Sequence, residues 1–399
     1  MCSMVQAEIN IGILGHVDHG KTTLTEKLTG KWTGTHSEEI KRGISIRLGY
    51  AEMSVYFCNK CKRYSVKEKC DCGEKAEFKR KISFIDAPGH ETLMTTVIAA
   101  SSIIDGALFL ISANEECPQP QTTEHLMVLN SIGIKNIVVV QTKVDLVSKE
   151  KAIENYKKIK EFLKGTVAEN APIIPISATY DTNINKLVEA IETTIQVPKR
   201  DAHAKLKMFI SRSFDVNKPG TEIKNLKGGV IGGSVVQGVL HVGDEIEIKP
   251  GITRKENENP SPIVCKVESL REESEQLDEA KPGGLIAVGT AIDPALTKSD
   301  SLVGAIIGYK GELPEVVSTI KIKYEMIKRK DIENPPLKDS EILAINLNTA
   351  TTVGVIVGLA KGIATVKLKK PLVNDKSARV ALSRKVGQRW RLAGWGQLV

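Results

Sequence analysis

Two stretches of the sequence carry residue types whose spacing suits binding chemistry. The first, GHVDHGKT from Gly15 to Thr22, has the glycine, lysine and threonine pattern of a phosphate-binding loop. Backbone N–H groups of such a loop surround a phosphate, its lysine reaches the β- and γ-phosphates, and its threonine hydroxyl binds Mg²⁺. The second, CNKCKRYSVKEKCDCG from Cys58 to Gly73, holds four thiols and could hold a metal ion.

The phosphate-loop pattern predicts a set of contiguous nucleotide ligands. A strand, INIGIL, precedes the loop and a helix through TTLTEKLTG follows it, which is the context that such a loop requires. The predicted ligands are Gly15, His16, Val17, Asp18, His19, Gly20, Lys21, Thr22 and Thr23.

Further motifs follow other predicted strands. DAPGH comes after ISFID, so Asp86 can reach Mg²⁺ through a bound water, and Gly89 can bring its N–H to a γ-phosphate without a Cβ in the way.

TKVD comes after NIVVVQ, and its Asp145 can accept hydrogen bonds from both N1–H and the exocyclic amine of guanine. Adenine would place an acceptor against this carboxylate, so Asp145 favours guanine by roughly 1.5–3 kcal/mol per charged hydrogen bond. SAT comes after PIIPI and can offer a backbone N–H to the guanine O6. The predicted guanine-side residues are Thr142, Lys143, Asp145, Ser177, Ala178 and Thr179.

Strands and helical patterns alternate over the first two hundred residues, which predicts a doubly wound, mainly parallel α/β sheet of the P-loop type. Ligands of such sheets bind at the carboxyl ends of the strands, where all four motifs fall, so we expect GTP or GDP with Mg²⁺ there. After QVPKRDAHAK the chain becomes rich in short β-segments, typical of antiparallel barrels. The predicted domains are 1–204, with a cysteine insertion at about 57–74, then a β-barrel at 205–315 and a second β-barrel at 316–399.

Together, GHVDHGKT, RGISI, DAPGH, TKVD and SAT resemble the motifs of translational GTPases related to elongation factor Tu, whose GTPase domain is followed by two β-barrels. Within that group, KRGISIRLGYA, the cysteine cluster, SRSFDVNKPGT, LKGGVIGGSV and WRLAGWG resemble the gamma subunits of archaeal and eukaryotic translation initiation factor 2. The resemblance covers the whole chain.

This resemblance implies roles for residues that spacing alone does not assign. Ser45 in the first switch would bind Mg²⁺, and His90 in the second switch would orient the attacking water, either as a base or only as a positioning group. Val17 and Ile44 match the apolar pair that screens this histidine. Hydrolysis without an activator would be slow, because the motifs contain no assignable arginine finger.

The implied function is GTP-dependent carriage of methionylated initiator tRNA to the small ribosomal subunit, in a heterotrimer with an alpha and a beta subunit. Tyr50 would lie near the acceptor end of the tRNA and could stack on it, or it could be a core tyrosine of a strand. The glycines of GGVIGGSV could let RNA approach the backbone, or they could serve a barrel corner.

One position departs from the family pattern. The guanine motif usually begins with Asn, and here it begins with Thr142. A threonine hydroxyl could still bond the phosphate loop, but the second arm of the amide is lost. We therefore expect weaker nucleotide binding with unchanged specificity for guanine.

The cysteine cluster lies among the forty residues between Ser45 and Asp86. Two strands of about ten residues and a tight turn would use only some 22–25 of these, so the cluster is predicted at the tip of a hairpin. Its spacing suits a structural Zn²⁺ site, although Cys70-x-Cys72 is tighter than usual, and the alternative is reduced thiols in a mobile loop. The predicted zinc ligands are Cys58, Cys61, Cys70 and Cys72.

Composition narrows the classes of protein. The apolar share of 41% and the charged share of 26% suit a globular protein, and no apolar run approaches the roughly 18 residues of a membrane span. Seven cysteines, four of them clustered, argue against a secreted disulfide framework and favour the cytoplasm. Ser318–Val399 carries a net charge of +10, whereas the whole chain carries +8, so the remaining residues sum to −2. This basic segment suits a phosphate-rich partner or a solvated lysine surface.

Two other functions stay open on the sequence. The first is a tRNA-carrying elongation factor, either general or specific for selenocysteine, for which the cysteine cluster is not expected. The second, less favoured, is the GTPase subunit of a metabolic enzyme, which would bind no tRNA.

Overall fold

The computed structural model describes residues 5–33, 48–89, 94–253, 260–273, 275–329 and 333–399. The chain divides into two compact units. The first is Ala7–Pro198, and the second is Lys199–Val399 together with Gln6. Within the described ranges, no helix is both long enough and apolar enough to cross a membrane.

The described part of the first unit is built from seven strands and five helices. The strands are β1 Ile9–Gly15, β2 Gly49–Cys58, β3 Arg63–Ser65, β4 Glu77–Asp86, β5 Gly106–Ser112, β6 Ile137–Thr142 and β7 Ile173–Pro175. The helices are α1 Lys21–Thr29, α2 Met94–Ala100, α3 Pro120–Ile132, α4 Lys149–Leu163 and α5 Ile184–Thr194.

These seven strands form one sheet in the order β3-β2-β4-β1-β5-β6-β7. The strands from β4 to β7 run parallel, while β2 and β3 pair antiparallel at one edge. Every residue of β1, β5 and β6 is buried, which explains their continuous apolar runs, since central parallel strands are covered on both faces. The predicted P-loop α/β sheet is confirmed.

The antiparallel edge is the predicted hairpin. Strands β2 and β4 have ten residues each and pair from Gly49 opposite Asp86 to Phe57 opposite Glu77. The cysteine cluster begins at the last residue of β2, and β3 pairs with the end of β2. The hairpin therefore joins the cysteines at its tip to Asp86 at its base.

The second unit consists of β-strands and short turns in its described part. The strands are β8 Lys207–Phe214, β9 Val230–Gln237, β10 Leu240–His241, β11 Glu245–Ile252, β12 Ser261–Glu272, β13 Glu275–Leu277, β14 Glu279–Ala280, β15 Gly283–Thr290, β16 Ile306–Tyr309, β17 Val316–Met326, β18 Ile342–Leu347, β19 Ala350–Ala360, β20 Ile363–Val373, β21 Arg379–Val386 and β22 Arg389–Leu398.

The strands of the second unit form two closed antiparallel barrels. The first follows the order β11-β16-β8-β9-β15-β12 and closes by pairing of β11 with β12. In addition, β13 pairs antiparallel with the end of β12, and β10 pairs with β14. The second follows the order β17-β20-β19-β18-β21-β22 and closes by pairing of β17 with β22. Both predicted barrels are confirmed, while the exact domain boundaries stay predictions.

The glycine-rich segment GGVIGGSV serves the first barrel. A Cβ at Gly233 would lie 1.9 Å from the carbonyl oxygen of Phe209, and one at Gly228 would lie 1.8 Å from that of Thr290. Both separations are shorter than van der Waals contact, so these strands approach each other only because the side chain is absent. Of the two interpretations of this segment, the structure favours barrel packing.

An ion pair ties the two barrels together. Lys207 Nζ at the start of β8 lies 3.1 Å from Asp375 Oδ2 in the second barrel, and the Asp375 side chain is almost fully buried. Burial opposes ionisation of Asp375, but hydrogen bonds from Ser377, Lys207 and Asn348 and the charge of Lys207 outweigh it and lower the pKa of the carboxyl. The barrels are therefore joined by a satisfied, ionised contact.

Candidate functional site

The phosphate loop, residues 15–22, runs from the end of β1 into α1. Lys21 is buried at its centre, and its ammonium donates to the carbonyl oxygens of Gly15 at 3.0 Å and His16 at 2.6 Å. Burial lowers the pKa of Lys21 to about 8, although the Asp86 carboxylate opposes this shift. A desolvated cation of this kind favours a strongly negative ligand, as a polyphosphate is.

Two hydroxyls converge on the carboxylate at the end of β4. Thr22 Oγ1 donates to Asp86 Oδ2 at 2.8 Å, and Thr33 Oγ1 donates to the same oxygen at 2.7 Å. Asp86 lies directly opposite Ile13 of β1, which brings it to the phosphate loop. An all-oxygen group beside the loop suits Mg²⁺. The predicted ligand Ser45 lies outside the described residues.

Gly89 packs against the phosphate loop so closely that no side chain fits. A Cβ there would lie 2.5 Å from Lys21 Nζ, 2.9 Å from the backbone nitrogen of Val17 and 3.0 Å from the carbonyl oxygen of Gly15. The backbone of Gly89 therefore lies against the lysine expected to bind the terminal phosphates. His90 and Ile44 lie outside the described residues.

The guanine motif contacts the phosphate loop through its first residue. Thr142 is buried at the end of β6, and its hydroxyl donates to the carbonyl oxygen of His19 at 2.9 Å. This is the contact predicted for the threonine that replaces asparagine. The backbone N–H of Val144 donates to the carbonyl of Ile176, which ties the TKVD loop to the SAT loop.

The remaining guanine-side residues line the same edge. Asp145 is exposed, and within the described ranges its carboxylate has no hydrogen-bond partner. Ser177 is buried, its N–H donates to Thr182 and its hydroxyl accepts from Tyr180. In the same described part of the chain, the N–H of Ala178 has no acceptor, so it is available to a ligand.

The predicted nucleotide-binding residues thus lie at the carboxyl ends of four neighbouring or near-neighbouring strands. The end of β1 carries Gly15, His16, Val17, Asp18, His19, Gly20, Lys21, Thr22 and Thr23, the end of β4 carries Asp86 and Gly89, the end of β6 carries Thr142, Lys143 and Asp145, and the end of β7 carries Ser177, Ala178 and Thr179. Their assignment as ligands stays a prediction.

Sequence reasoning missed the loop that follows β5. Glu115 in that loop contacts the ring of His19, and the amide of Asn155 on α4 donates to the carbonyl oxygen of Glu115 at 3.2 Å. Part of the signal was present, because the polar residues Asn114 and Glu115 directly follow a buried strand at the ligand edge of the sheet.

The four clustered cysteines meet in space. Their sulfur atoms all lie within 4.8 Å of one another, with 3.7 Å between those of Cys58 and Cys72 and 3.9 Å between those of Cys61 and Cys70. A tetrahedral site with Zn–S bonds of about 2.3 Å requires sulfur separations of about 3.8 Å. Two of the sulfur separations match this value and the others are within 4.8 Å, so the donor set suits Zn²⁺.

The pKa values of these thiols explain why the cluster favours a bound cation. A hydrogen bond to Cys72 is the largest cause that raises the pKa of Cys61, to about 12. A backbone N–H from Glu74 is the largest cause that lowers the pKa of Cys72, to about 7. Neighbouring thiolates repel each other, so full ionisation of the cluster needs a bound positive charge.

Tyr50 lies on β2, opposite Ile85 of β4, and is half-buried. This position is compatible both with stacking on tRNA and with a core role in the strand. A stacking role for Tyr50 stays a prediction.

Comparison with known proteins gives three family models that match consecutive parts of the chain. The family described as elongation factor Tu GTP binding domain matches residues 6–197. Elongation factor Tu domain 2 matches residues 228–308, and the C-terminal domain of initiation factor eIF2 gamma matches residues 318–398.

Similar proteins match over nearly the whole length. The chain is 55% identical over 407 residues to translation initiation factor 2 subunit gamma of Methanococcus maripaludis, covering 99% of each chain. It is 52% identical over 399 residues to the protein of that name from Pyrococcus abyssi, covering 98% of this chain and 97% of that one. Among solved structures, elongation factor SelB from Methanococcus maripaludis in complex with the GTP analogue GppNHp matches with a TM-score of 0.74 at 25% identity, covering 99% of this chain and 79% of that chain.

The Thr142 hydroxyl allows a direct test of the site. Thr142→Val removes the donor and leaves the buried carbonyl of His19 without it, which costs about 1–3 kcal/mol, so GDP should bind about 5- to 100-fold more weakly. Thr142→Ser keeps the hydroxyl and should stay near the wild-type affinity. Titration calorimetry with GDP makes the comparison. Equal affinities of the valine and serine variants would contradict the role given to this contact.

Proposed function

Because the chain belongs to the translation initiation factor 2 gamma subunits, a family of translational GTPases, we propose that it is the GTP-dependent carrier of methionylated initiator tRNA. In its GTP form it would bring this tRNA to the small ribosomal subunit, and GTP hydrolysis would release it. The observation that carries the proposal is the conjunction of a GTP-binding domain at 6–197 with an initiation-factor gamma domain at 318–398. The selenocysteine-specific alternative is less well supported, since a solved selenocysteine-specific elongation factor is 26% identical to this chain, whereas an initiation factor 2 gamma subunit is 55% identical.

The nucleotide would lie across the carboxyl edge of the sheet. Lys21, whose pKa is low because it is buried, would exchange its carbonyl partners for the β- and γ-phosphates, and the phosphates would hold it charged. The exposed carboxylate of Asp145 would accept from the guanine base, and the unengaged N–H of Ala178 would donate to its O6. Gly89 would bring its N–H to the γ-phosphate, because nothing larger than glycine fits against Lys21.

Mg²⁺ would be held by oxygen ligands beside the phosphate loop. Thr22 and Ser45 would bind it directly, and Asp86 would orient a bound water, as the convergence of two hydroxyls on its carboxylate supports. The ion would supply neutralisation of the phosphate charge. The protein supplies the positions of these oxygens through the pairing of β4 with β1.

For hydrolysis, His90 would hold the attacking water in line with the γ-phosphate. The residue follows Gly89 directly in the chain, so contact between Gly89 and the γ-phosphate would set its position. We infer a slow intrinsic rate and a timing role. Loss of the γ-phosphate would release Gly89 and with it the second switch.

Zn²⁺ would have a structural role in the hairpin. Four thiolate ligands would leave no open position on the metal for chemistry. The tip of the hairpin is polar and exposed, so the metal would give it a fixed shape.

The partners we propose are the initiator tRNA, an alpha and a beta subunit in a heterotrimer, and the small ribosomal subunit in the cytoplasm. Lys367, Lys369 and Arg389 are exposed on the second barrel and suit contacts with RNA phosphates. Arg384 suits them less well, since it is half-buried and paired with Glu341 at 2.5 Å.

Binding of tRNA with each nucleotide tests the proposal. Filter binding of the full chain should retain methionylated initiator tRNA at least about tenfold more tightly with GTP than with GDP, because GTP differs in its contact with the switches. Methionylated elongator tRNA should bind more weakly with either nucleotide. Equal retention of initiator tRNA with GTP and GDP would exclude a nucleotide-gated carrier.

Metal analysis tests the cysteine cluster. Protein purified without chelator should contain about one zinc per chain, because the four sulfur atoms lie within 4.8 Å of one another. Cys61→Ser should lose most of the zinc, whereas Cys265→Ser, in the first barrel, should retain it. A metal-free wild-type chain would remove the zinc site and leave the nucleotide proposal intact.

A further inference from the structure

The ring of His19 is held at both nitrogens inside the phosphate loop. The side chain is buried, its Nδ1 lies 3.0 Å from the carbonyl oxygen of Leu110, and its Nε2 lies 3.3 Å from Glu115 Oε2. Leu110 belongs to β5, and Glu115 lies in the loop that follows β5. The loop that is to bind phosphate is thus braced by a neighbouring strand.

The number of protons on the His19 and Glu115 side chains determines whether both contacts of the His19 ring are hydrogen bonds. A carbonyl oxygen only accepts, so Nδ1 must carry a proton to bond Leu110, and an ionised carboxylate also only accepts, so Nε2 must carry one to bond Glu115. A neutral imidazole has one N–H. Both contacts are therefore hydrogen bonds only when the His19–Glu115 pair holds one proton more than a neutral ring beside an ionised carboxylate.

The surroundings make this extra proton weakly held. Burial is the largest cause that lowers the pKa of His19, and the charges of His16 and Lys21 act in the same direction. The Leu110 carbonyl and the Glu115 carboxylate oppose them. His16 faces the ring with 5.2 Å between ring centroids, and His125 of α3 is also close enough for the charge of His19 to lower the pKa of His125.

Glu115 is itself fixed from behind by a buried amide. Asn155 Nδ2 donates to the carbonyl oxygen of Glu115 at 3.2 Å and to that of Ser112 at 3.4 Å, and its Oδ1 accepts from Gln141 at 2.8 Å. Gln141 precedes Thr142, whose hydroxyl bonds the main chain of His19. Strand β6 is therefore connected to His19 by two sets of hydrogen bonds. Thr142 bonds its main chain, and Gln141 reaches its ring through Asn155 and Glu115.

From this geometry we propose that Glu115 is a positioning residue of the nucleotide site, which acts through His19 and holds the phosphate loop more firmly when the pair takes up a proton. The inference rests on the proposed binding of guanine nucleotides at this loop. It also gives the guanine-binding and phosphate-binding parts of the site a second connection, through Asn155, Glu115 and His19. The first connection is the single hydrogen bond from Thr142, which lacks the second polar group of an asparagine amide.

Dissociation of a fluorescent GDP analogue from the full chain, followed between pH 5.5 and 8.5, tests the proposal. Wild-type dissociation should slow by about 3- to 10-fold as pH falls, because the protonated ring then donates to Glu115 in a charge-assisted bond. In Glu115→Gln, the amide can donate to the unprotonated Nε2, so both ring contacts are satisfied without the extra proton. Its profile should lack the part of the slope that the pair contributes and should cross the wild-type profile, with slower release at pH 8.5 and faster release at pH 5.5.

Glu116→Gln is the matched control. It removes the same charge from the next residue, whose side chain is exposed, and should follow the wild-type profile. The nucleotide phosphates and Lys21, whose pKa is about 8, titrate in all these proteins, so the difference between profiles reports on the pair. Glu115→Ala should release GDP faster than wild type at pH 5.5 and approach the wild-type rate at pH 8.5, where the neutral ring has no N–H to donate to the carboxylate.

Parallel profiles for wild type and Glu115→Gln would overturn the inference. If the variants fail to fold, ¹⁵N spectra of the wild-type histidine rings decide, since His19 should keep Nδ1 protonated throughout and gain its Nε2 proton as pH falls. A ring protonated at Nε2 alone at high pH would also overturn it. Failure of the wild-type chain to bind GDP would instead refute the proposed function.

Discussion

The nucleotide site depends on the parallel registers of β4, β1, β5 and β6. In these registers Asp86 lies opposite Ile13, Gly15 lies opposite Leu110, and Ser112 lies opposite Thr142. The strands therefore end at one edge, and the loops that follow them meet there. A slip of one residue in any of these pairings would move the loop at the end of that strand and turn its side chains to the opposite face of the sheet, so the site requires this register.

Several features of this edge could be predicted because they depend only on the order of the motifs and on where parallel strands end. The phosphate loop, the strand ends and the hydroxyl of Thr142 follow from motif order and from the rule that parallel strands end at one edge. A bond from the Thr142 hydroxyl to the phosphate loop was predicted, and the structure places it on the carbonyl oxygen of His19 at 2.9 Å. In contrast, the bond from Asn155 to Glu115 joins a helix face to a loop forty residues away, and no periodicity indicates such a pairing.

In the cysteine hairpin, too, some features could be predicted from the sequence and others could not. Chain length alone predicted two strands of about ten residues with the cluster between them, and the structure has that arrangement. The narrow spacing of Cys70 and Cys72 argued against a closed site at the level of sequence. It is accommodated because the chain turns sharply after Cys70, with a bond from the N–H of Gly73 to the carbonyl of Cys70 and a positive φ of 88° at Gly73.

The claim at the centre of this account is that the edge of the sheet binds a guanine base through Asp145, and an exchange of base and side chain tests it most directly. Affinities for GDP and for xanthosine diphosphate would be measured on the wild-type chain and on Asp145→Asn. Because an asparagine amide can donate to the oxygen that xanthine carries in place of the guanine amine, the variant should lose GDP affinity by about 10- to 100-fold and prefer the xanthine nucleotide. A variant that binds GDP as tightly as wild type, with the same preference for guanine, would contradict the assignment of the site.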